Sequence, residues 1–309
     1  MSERDFFKED FKYYKKKSPP PCFDQVIDFD SKHNIESTIC VKEQYLKETT
    51  NEITKHSSCS TCEKLGLRNH LTWNLYSLKN LSGLIYLQNP FTSPGQQIWI
   101  KKCLEQYPRK PALTNLDLHY SNVDDIWSLK DSSDPVKKDY LHKLCWATLG
   151  YHHNWDTKIY NSNCRSAFPH CLEDLSKHIA HCLGFVNFKP EAAIVNYYSS
   201  KSSLSIHNDH SEEEINAPII SFSFGQTGVF LIGTENKLEK PSAIFLRSGD
   251  VIIMSGSCRL SYHAVPCILT ENVNNRYCDD ESNDWIEFQS YISKARMNIS
   301  VRQVYASKS

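Results

Sequence analysis

The feature that most constrains the fold of this chain is a series of short strand-like segments that begins at residue 192 and continues almost to the C-terminus. β-Branched and aromatic residues dominate these segments, and turn signals such as Gly225-Gln226-Thr227-Gly228 and Ser248-Gly249-Asp250 separate them. Short strands at this spacing typically pack as two sheets, so the pattern predicts a jelly-roll. The predicted strands are 192–198, 204–207, 218–224, 229–232, 243–246, 251–254, 261–265 and 297–305.

Helical signals precede this strand-rich part and predict an α+β fold in which helices buttress the sheets. A strand is predicted at 84–87, and apolar residues at helical spacing predict helices at 95–107 and 169–183. Residues 270–284 are polar and favour a loop before the last strand. In the helix predicted at 95–107, the residues expected to face inward are Ile98, Trp99 and Leu104.

Composition divides the chain near residue 82. Residues 1–82 are polar and irregular, and they predict an N-terminal extension that is partly helical and partly flexible, with partial disorder within 31–72. Residues 83–309 predict one domain, with the jelly-roll core at about 190–309.

The N-terminal extension begins with a cluster of aromatic residues. Their spacing between Phe6 and Tyr14 predicts a short amphipathic helix, which Ser18-Pro19-Pro20-Pro21 ends. The segment Lys15-Lys16-Lys17 lies between this helix and the prolines. We interpret it as a solvated helix end, and the alternative is an arm that contacts phosphates.

The overall charge gives no signature of nucleic-acid binding, because 35 Lys and Arg residues are balanced by 36 Asp and Glu residues. Any such contact must therefore come from a local patch. No apolar run approaches the roughly 20 residues of a membrane span, and no signal peptide is recognisable. These observations predict an intracellular protein without membrane contact, and they do not distinguish nucleus, cytoplasm and mitochondrion.

The 12 cysteines are scattered, which argues against a disulfide framework. Cys59-Ser60-Thr61-Cys62 has the spacing of half a zinc site, but no second Cys-x-x-Cys follows. The favoured interpretation of this segment is a reduced surface loop, and metal binding is the alternative.

The step His207-Asn208-Asp209 indicates a metal site at the end of a predicted strand. Residues two apart on a strand point the same way, so both side chains can reach one ion. His263 lies on another predicted strand and is expected to approach from the facing sheet. Two imidazoles and a carboxylate form the facial triad of Fe(II) oxygenases. A zinc hydrolase remains an alternative, with Glu212, Glu213 and Glu214 as the nearby candidate bases.

A candidate co-substrate site lies on the last strand, where Arg296, Asn298, Ser300 and Arg302 share one face. Inward-facing arginines are costly unless an anion compensates them, so this face predicts a carboxylate ligand. The alternative is the outward polar side of an edge strand. Asn196 and Tyr198 also share a face and offer hydrogen-bond donors.

With these residues the chain resembles the AlkB family of Fe(II)/2-oxoglutarate dioxygenases. The shared motifs are Asn-x-Tyr at 196–198, His-x-Asp at 207–209, His263, and Arg-x-Asn-x-Ser-x-Arg at 296–302. Further segments resemble the eukaryotic AlkB homologue 1 branch of that family, namely 150–156, 220–226, 254–256, 263–266 and 301–304.

The resemblance implies a double-stranded β-helix, which agrees with the predicted strands. It implies that His207, Asp209 and His263 bind Fe(II), and that Arg296 binds the distal carboxylate of the co-substrate 2-oxoglutarate. The residues expected around that co-substrate are Asn196, Tyr198, Asn298, Ser300 and Arg302.

The activity that the resemblance implies is oxidative demethylation with O₂, in which 2-oxoglutarate becomes succinate and CO₂ and the methyl group leaves as formaldehyde. The branch acts on 1-methyladenine and 5-methylcytosine in transfer RNA and on 6-methyladenine in DNA. Some members are also credited with histone demethylation and with cleavage at abasic sites. The alternative functions are histone demethylation, cleavage at abasic sites, and a nucleic-acid-binding scaffold with a vestigial site.

Candidate base-contacting residues are flat side chains, because bases stack on them. A base within a duplex must be flipped out to reach such residues. The candidates are Trp127, Tyr151, His152 and His153. The alternative is that these side chains form aromatic core.

A monomer is the favoured oligomeric state.

Overall fold

Antiparallel strands dominate the computed structural model, which describes residues 4–46, 59–270 and 283–306. The strands, numbered in chain order, are β1 (Thr38–Cys40), β2 (Asn74–Leu78), β3 (Leu81–Gln88), β4 (Leu113–Thr114), β5 (Trp146–Asn154), β6 (Ile159–Arg165), β7 (Ala192–Ser199), β8 (Leu204–His207), β9 (Ile219–Gly225), β10 (Thr227–Ile232), β11 (Ser242–Leu246), β12 (Val251–Met254), β13 (His263–Leu269) and β14 (Ala295–Arg302).

Helices lie mainly against one side of this strand framework. A π-helical segment, Lys102–Gln106, continues the third of them, and a further helical segment at 42–46 ends the first described range. The helices, numbered in chain order, are α1 (Phe6–Tyr14), α2 (Cys59–Lys64), α3 (Ser93–Lys101), α4 (Ile126–Leu129), α5 (Pro135–Lys138), α6 (Tyr140–Lys143), α7 (His170–Cys182) and α8 (Asn283–Ile292).

The strands form two sheets that enclose an apolar interior. Within the described residues, the larger sheet has the order β1-β2-β3-β12-β9-β14-β7-β5-β4, with β6 paired to β5, and the smaller has the order β11-β10-β13-β8. Tyr86, Tyr198 and Ile252 of the larger sheet belong to one buried cluster with Phe230 and Ile244 of the smaller. The predicted jelly-roll of two packed sheets is therefore confirmed.

The outer face of the larger sheet carries the largest hydrophobic core, which it shares with α3, α7 and α8. Strand β14 shows how alternation divides its residues between two environments, because Met297, Ile299 and Val301 lie in this outer core. The residues between them face the space between the sheets, which is why both faces of β14 are mostly buried.

The N-terminal extension is integrated into this architecture. The predicted helix is confirmed as α1, where Asp5 caps the helix by accepting from the Lys8 amide and Phe7 is fully buried against the smaller sheet. Strands β1 and β2 extend the edge of the larger sheet beside β3. The boundary at residue 82 stays a prediction, and residues 47–58, within the segment predicted to be partly disordered, lie outside the described residues.

Three local predictions are wrong. Ile98 is 44% exposed, because the buried side of α3 is formed by residues such as Gln96, Trp99 and Ile100. His263 does not approach from the facing sheet, since β13 and β8 are neighbours in the smaller sheet. Cys62 is not on a surface loop but is buried on α2.

Several elements were not predicted from the sequence, among them the β5–β6 hairpin and helix α8. Helix α8 starts at the end of the predicted 270–284 loop, most of which lies outside the described residues. In the part of the chain that the structure describes, no helix combines the length and hydrophobicity that a membrane span requires.

Candidate metal and co-substrate site

The three residues of the predicted metal site meet at one end of the smaller sheet. His207 is the last residue of β8 and His263 is the first residue of β13, and the two are directly paired across the strands. Asp209 follows β8 by two residues. The ligand atoms of all three residues lie within 4.8 Å of one another.

The carboxylate of Asp209 lies between the two imidazoles. Its Oδ1 atom is 4.0 Å from Nε2 of His207, and its Oδ2 atom is 3.9 Å from Nε2 of His263. The two imidazole rings are tilted by 54° with centroids 4.3 Å apart. One carboxylate oxygen and two Nε2 atoms therefore converge on a common point.

The other ring nitrogen of each histidine is fixed by the backbone. Nδ1 of His207 lies 2.8 Å from the carbonyl of Ser205, and Nδ1 of His263 lies 3.1 Å from the carbonyl of Ser261. A carbonyl only accepts hydrogen bonds, so each Nδ1 must carry the proton. Nε2 is then left with a free lone pair, which is the form that binds a metal.

Asp209 is held by a buried ion-pair network that includes Arg259, which the sequence did not single out, and Glu212, which it offered only as a candidate base. Arg302 donates to Oδ2 of Asp209 at 2.8 Å, and its Nε lies 3.0 Å from Glu212. Arg259 pairs with the same Glu212 at 2.9 Å and donates to the backbone carbonyl of Asp209 at 2.6 Å. Glu212 and Arg259 are 47 residues apart, so no local pattern indicates their pairing.

Charge and burial act in opposite directions on Asp209. Burial raises its pKa, but the guanidinium of Arg302 and the two imidazoles lower it more, so the pKa of Asp209 lies far below its usual range. Burial lowers the pKa of His263 to about 4, and the neighbouring His207 adds to the effect. At neutral pH the site therefore consists of an anionic carboxylate beside a neutral imidazole, as metal ligation requires.

At the other end of β14, Arg296 is 1% exposed. Its terminal nitrogens donate to the carbonyls of Gln226 and Leu246 and to the hydroxyl of Ser223, at 2.7 to 3.3 Å. Its Nε has no partner, and among the described residues no carboxylate lies within ion-pair distance, although the buried carboxylate of Asp250 acts on its charge from farther away. Burial lowers the pKa of Arg296 to about 10, which still leaves it charged at neutral pH.

A single cavity connects this guanidinium to the triad. Asn298 donates to Ser221 at 2.7 Å and accepts from Ser300 at 3.0 Å, so these side chains form one polar wall. Gly228 keeps the backbone close to Arg296, because a Cβ there would lie 3.1 Å from Nε. All nine residues predicted to bind metal or co-substrate line this cavity, namely His207, Asp209, His263, Asn196, Tyr198, Arg296, Asn298, Ser300 and Arg302.

The donor set and the unpartnered guanidinium fit the group that the sequence predicts. Two imidazoles and one carboxylate without a thiolate suit Fe(II) with open positions, and disfavour structural zinc. The unpartnered Nε of Arg296, with no described carboxylate in ion-pair distance, suits one carboxylate of a small diacid.

Of the four candidate base-contacting residues, His153 is the one whose pKa responds to the charges of Arg302 and Asp209. Its Nε2 is 3.1 Å from the Ser211 hydroxyl, and its ring contacts Trp155 and Tyr160 edge-on. Burial, and then the positive charge of Arg302, lower the pKa of His153 to about 4. The charges of Arg302 and Asp209 thus act on this imidazole, although its side chain does not line the triad cavity.

The other three candidates have different surroundings. Tyr151 is on the same face of β5 as His153, and its hydroxyl accepts from Arg165 at 3.2 Å beside a separate surface cavity. His152 points the opposite way, is buried, and bonds to Thr148 at 2.8 Å. Trp127 stacks on Phe288 with centroids 4.6 Å apart in the outer core, and it does not line the triad cavity.

Comparisons with known proteins agree with this geometry. The sequence profile of the 2OG-Fe(II) oxygenase superfamily matches residues 83–302. The chain is 36% identical to the human protein named nucleic acid dioxygenase ALKBH1 (Homo sapiens) over 330 aligned residues, which cover 98% of this chain and 84% of that protein. It is 37% identical to the tRNA demethylase abh1 of Schizosaccharomyces pombe over 254 residues, covering 76% of this chain and 83% of that protein.

A solved structure shares the fold. The structure of OsALKBH1 superposes with a TM-score of 0.50 at 20% sequence identity, and the match covers 74% of this chain and 99% of that one.

Proposed function

This chain belongs to the 2OG-Fe(II) oxygenase superfamily and, within it, to the AlkB family, and on that premise we propose that it demethylates bases in transfer RNA, in DNA or in both. The predicted cofactors Fe(II), 2-oxoglutarate and O₂ are those of the superfamily. The observation that carries the proposal is the single cavity that joins the triad to the guanidinium of Arg296. The human and S. pombe relatives, whose names specify nucleic acid and tRNA, support the substrate class.

In this proposal, Nε2 of His207, a carboxylate oxygen of Asp209 and Nε2 of His263 hold Fe(II). When bound, the iron supplies the oxidising chemistry together with 2-oxoglutarate and O₂. The contribution of the chain is orientation, because the carbonyls of Ser205 and Ser261 fix both imidazoles. Arg302 fixes the carboxylate in the same way.

Arg296 binds the distal carboxylate of 2-oxoglutarate, which supplies the anion that this buried cation lacks. Phe230, Leu246 and Val265 form an apolar wall of the cavity and keep water from the co-substrate. Asn196, Tyr198, Asn298 and Ser300 complete the lining with hydrogen-bonding groups.

The methylated base enters beside His153 and Ser211, at the metal end of the cavity. The β5–β6 hairpin that carries His153 also bears the exposed cations Lys158 and Arg165, which we assign to phosphate contacts. Trp127 has no place in this proposal, because its stacking partner is the core residue Phe288.

The remaining expectations belong to the same proposal. The superfamily match begins at residue 83 and supports a catalytic domain at 83–309 preceded by an extension. We propose that the protein acts as a monomer inside the cell, in the nucleus, cytoplasm or mitochondrion where its nucleic acid substrates reside.

The test is mass spectrometry of nucleosides after incubation with Fe(II) and 2-oxoglutarate. The substrates are transfer RNA with 1-methyladenine or 5-methylcytosine, DNA with 6-methyladenine, and a methylated histone peptide, each with wild type and with the His263→Ala variant. We expect loss or oxidation of the methylated base, with formaldehyde release from the N-methylated ones, in the wild type alone. Turnover of the peptide only would contradict the proposal, as would DNA strand cleavage at abasic sites that survives iron chelation and is trapped by borohydride.

A further inference from the structure

Two tryptophans of the β5–β6 hairpin form an aromatic surface that has no role in the proposed function. The ring centroids of Trp146 and Trp155 are 5.0 Å apart, and the ring of His153 contacts Trp155 edge-on at 4.8 Å. Both tryptophans are half-buried, whereas the other four tryptophans of the chain are at most 6% exposed. We propose that this pair stacks a nucleobase of a single-stranded substrate, namely a base that adjoins the methylated one.

Strand register places the pair beside the co-substrate cavity. Trp146 lies directly opposite Asn196 on β7, and Asn196 lines the cavity. The side chains of two residues paired in this way are on the same face of the sheet. Neither tryptophan lines the cavity itself. The pair therefore borders the site proposed for the methylated base without occupying it, as a surface for the adjoining base should.

The tip of the hairpin holds Trp155 in place. The side chain of Asn154 accepts from the amide of Asp156 at 2.9 Å and from that of Thr157 at 3.0 Å. The amide of Lys158 donates to the carbonyl of Asn154 at 2.9 Å, which closes the turn. Because the turn is formed without the ligand, less conformational entropy is lost when a base stacks on the ring.

Charge and hydrogen-bonding capacity favour a nucleic acid as the occupant. Nζ of Lys158 lies 5.7 Å from the centroid of the Trp155 ring, and Arg165 is exposed at the other end of β6. Against these two cations, the hairpin from residue 146 to residue 165 contains one acidic residue, Asp156. Aromatic rings beside cations are the usual platform for single-stranded nucleic acids.

The indole nitrogen of Trp155 also fits such a ligand. Its Nε1 atom is buried and has no hydrogen-bond acceptor among the described residues. An indole N–H only donates, and nucleobases and phosphates offer acceptor oxygens. A bound nucleotide can therefore satisfy this donor without breaking a hydrogen bond of the free protein.

This inference rests on the proposed function, because it assigns a second nucleotide of the same substrate. Stacking uses the face of a base, which all four bases share. Binding should therefore depend on the presence of the adjoining base and little on its identity.

The first test is the tryptophan fluorescence of the wild type, which needs no variant. A single-stranded DNA oligonucleotide with one 6-methyladenine is added to the protein loaded with Fe(II) and 2-oxoglutarate, without oxygen so that no turnover occurs. Because the other tryptophans are buried, quenching of the emission and protection from acrylamide report on Trp146 and Trp155. We expect both effects, and we expect Trp155→Phe to halve the quenching at least. Binding that leaves emission and acrylamide access unchanged overturns the inference.

The second test combines a protein variant with a change in the oligonucleotide. Trp155→Leu removes the ring, and an abasic spacer on one side or the other of the 6-methyladenine removes the adjoining base. We expect Trp155→Leu, and the spacer on one of the two sides, each to raise the Kd about 5- to 150-fold, the effect of one stacked base. Together the two changes should raise the Kd no further than either alone.

Ile159→Ser is the matched control, because Ile159 is an exposed apolar residue of the same hairpin, and it should leave the Kd unchanged. A Kd of Trp155→Leu equal to that of the wild type overturns the inference. Effects of the variant and the spacer that multiply also overturn it, because the ring and the base would then act independently.

Demethylation of the oligonucleotide without spacer tests the proposed function separately. If the wild type demethylates it while the Kd responds neither to Trp155→Leu nor to the spacers, the inference alone is wrong. If the wild type neither binds nor demethylates any methylated nucleic acid, the proposed function is wrong and the inference with it.

Discussion

The two buried arginines of β14 have opposite electrostatic surroundings although they lie on one face of one strand. Arg302 pairs with Asp209 at 2.8 Å and with Glu212 at 3.0 Å. Arg296 has only carbonyl and hydroxyl acceptors, with no carboxylate in ion-pair distance among the described residues. The arginine at one end of the strand is thus ion-paired within the chain, whereas the one at the other end has only the more distant Asp250 as counter-charge and is suited to an anion from outside the chain.

This difference separates two roles that the sequence motif gives equally to both arginines. In the proposed function, Arg302 positions the metal ligand Asp209, with which it is ion-paired. Arg296 has no such ion pair and is proposed to bind the co-substrate. The carboxylates of Asp209 and Glu212 raise the pKa of Arg302 against the effect of burial, whereas burial lowers the pKa of Arg296.

The largest expected effect is at the residue that Arg302 positions. Asp209→Ala removes a metal ligand, so 2-oxoglutarate turnover should fall by more than the roughly 10–100-fold that changes in residues supporting the ligands produce. Succinate formation measures this loss, and Glu213→Ala, at an exposed neighbour, is the matched control. If Asp209→Ala turned over 2-oxoglutarate within twofold of the wild-type rate, a vestigial or iron-independent site would explain the result better.

The next effect concerns stability and differs between the two arginines. Arg302→Met leaves the carboxylate of Asp209 buried without its cation, while Glu212 keeps its pair with Arg259, and should cost about 3–5 kcal/mol of unfolding free energy. Arg296→Met removes a buried charge that has no direct ion pair, so its cost without ligand should be much smaller. Urea unfolding of both metal-free variants measures the difference, and equal losses would break the contrast between the two ends of β14.

Lowering the pH should destabilise the metal-free protein. The pKa values of His153, His178 and His263 are lowered to about 4 in the folded state, below the unfolded value of about 6.5. Between these pKa values the unfolded chain binds more protons than the folded protein, so the free energy of unfolding falls as the pH decreases. Each histidine contributes at most about 1.4 kcal/mol per pH unit, and the partly solvated histidines contribute less. Urea midpoints at pH 7 and pH 5 test the sign, and an unchanged or higher midpoint at pH 5 would refute it.

The smallest effect is expected at the substrate end of the cavity. His153→Ala should weaken binding of the methylated nucleic acid by about 1–3 kcal/mol, the usual contribution of one stacked base, without changing the KM for 2-oxoglutarate. Trp127→Phe, which keeps an aromatic ring in the core, is the matched control. It should leave both nucleic acid binding and the KM for 2-oxoglutarate unchanged. If Trp127→Phe raised the nucleic acid KM and His153→Ala did not, the assignment of the substrate end would be wrong.

The polar face of β14 could be predicted because it depends on a local rule. Alternation along one strand puts Arg296, Asn298, Ser300 and Arg302 on one side, and the structure places all four in the cavity. Alternation does not specify the neighbouring strand, which is why His263 was expected in the wrong sheet.

Residues that depend on distant partners could not be predicted. Glu212 and Arg259 become important only through a pairing across 47 residues, and either residue alone is typical of a solvated surface. Trp127 illustrates the converse, because an aromatic side chain has the same sequence signal whether it packs on Phe288 or on a base. Cys62 likewise shows its relation to His178 only in the folded chain.

The most direct test of the account is calorimetric binding of 2-oxoglutarate to the Fe(II)-loaded protein without oxygen. Wild type and Arg165→Met, a change at an exposed arginine, should bind one equivalent with the same affinity. Arg296→Met should lose about 2–5 kcal/mol, which is a Kd at least about 30-fold higher, while it retains its iron. Equal affinity of Arg296→Met and wild type would contradict the assignment of the uncompensated end of β14 to the co-substrate.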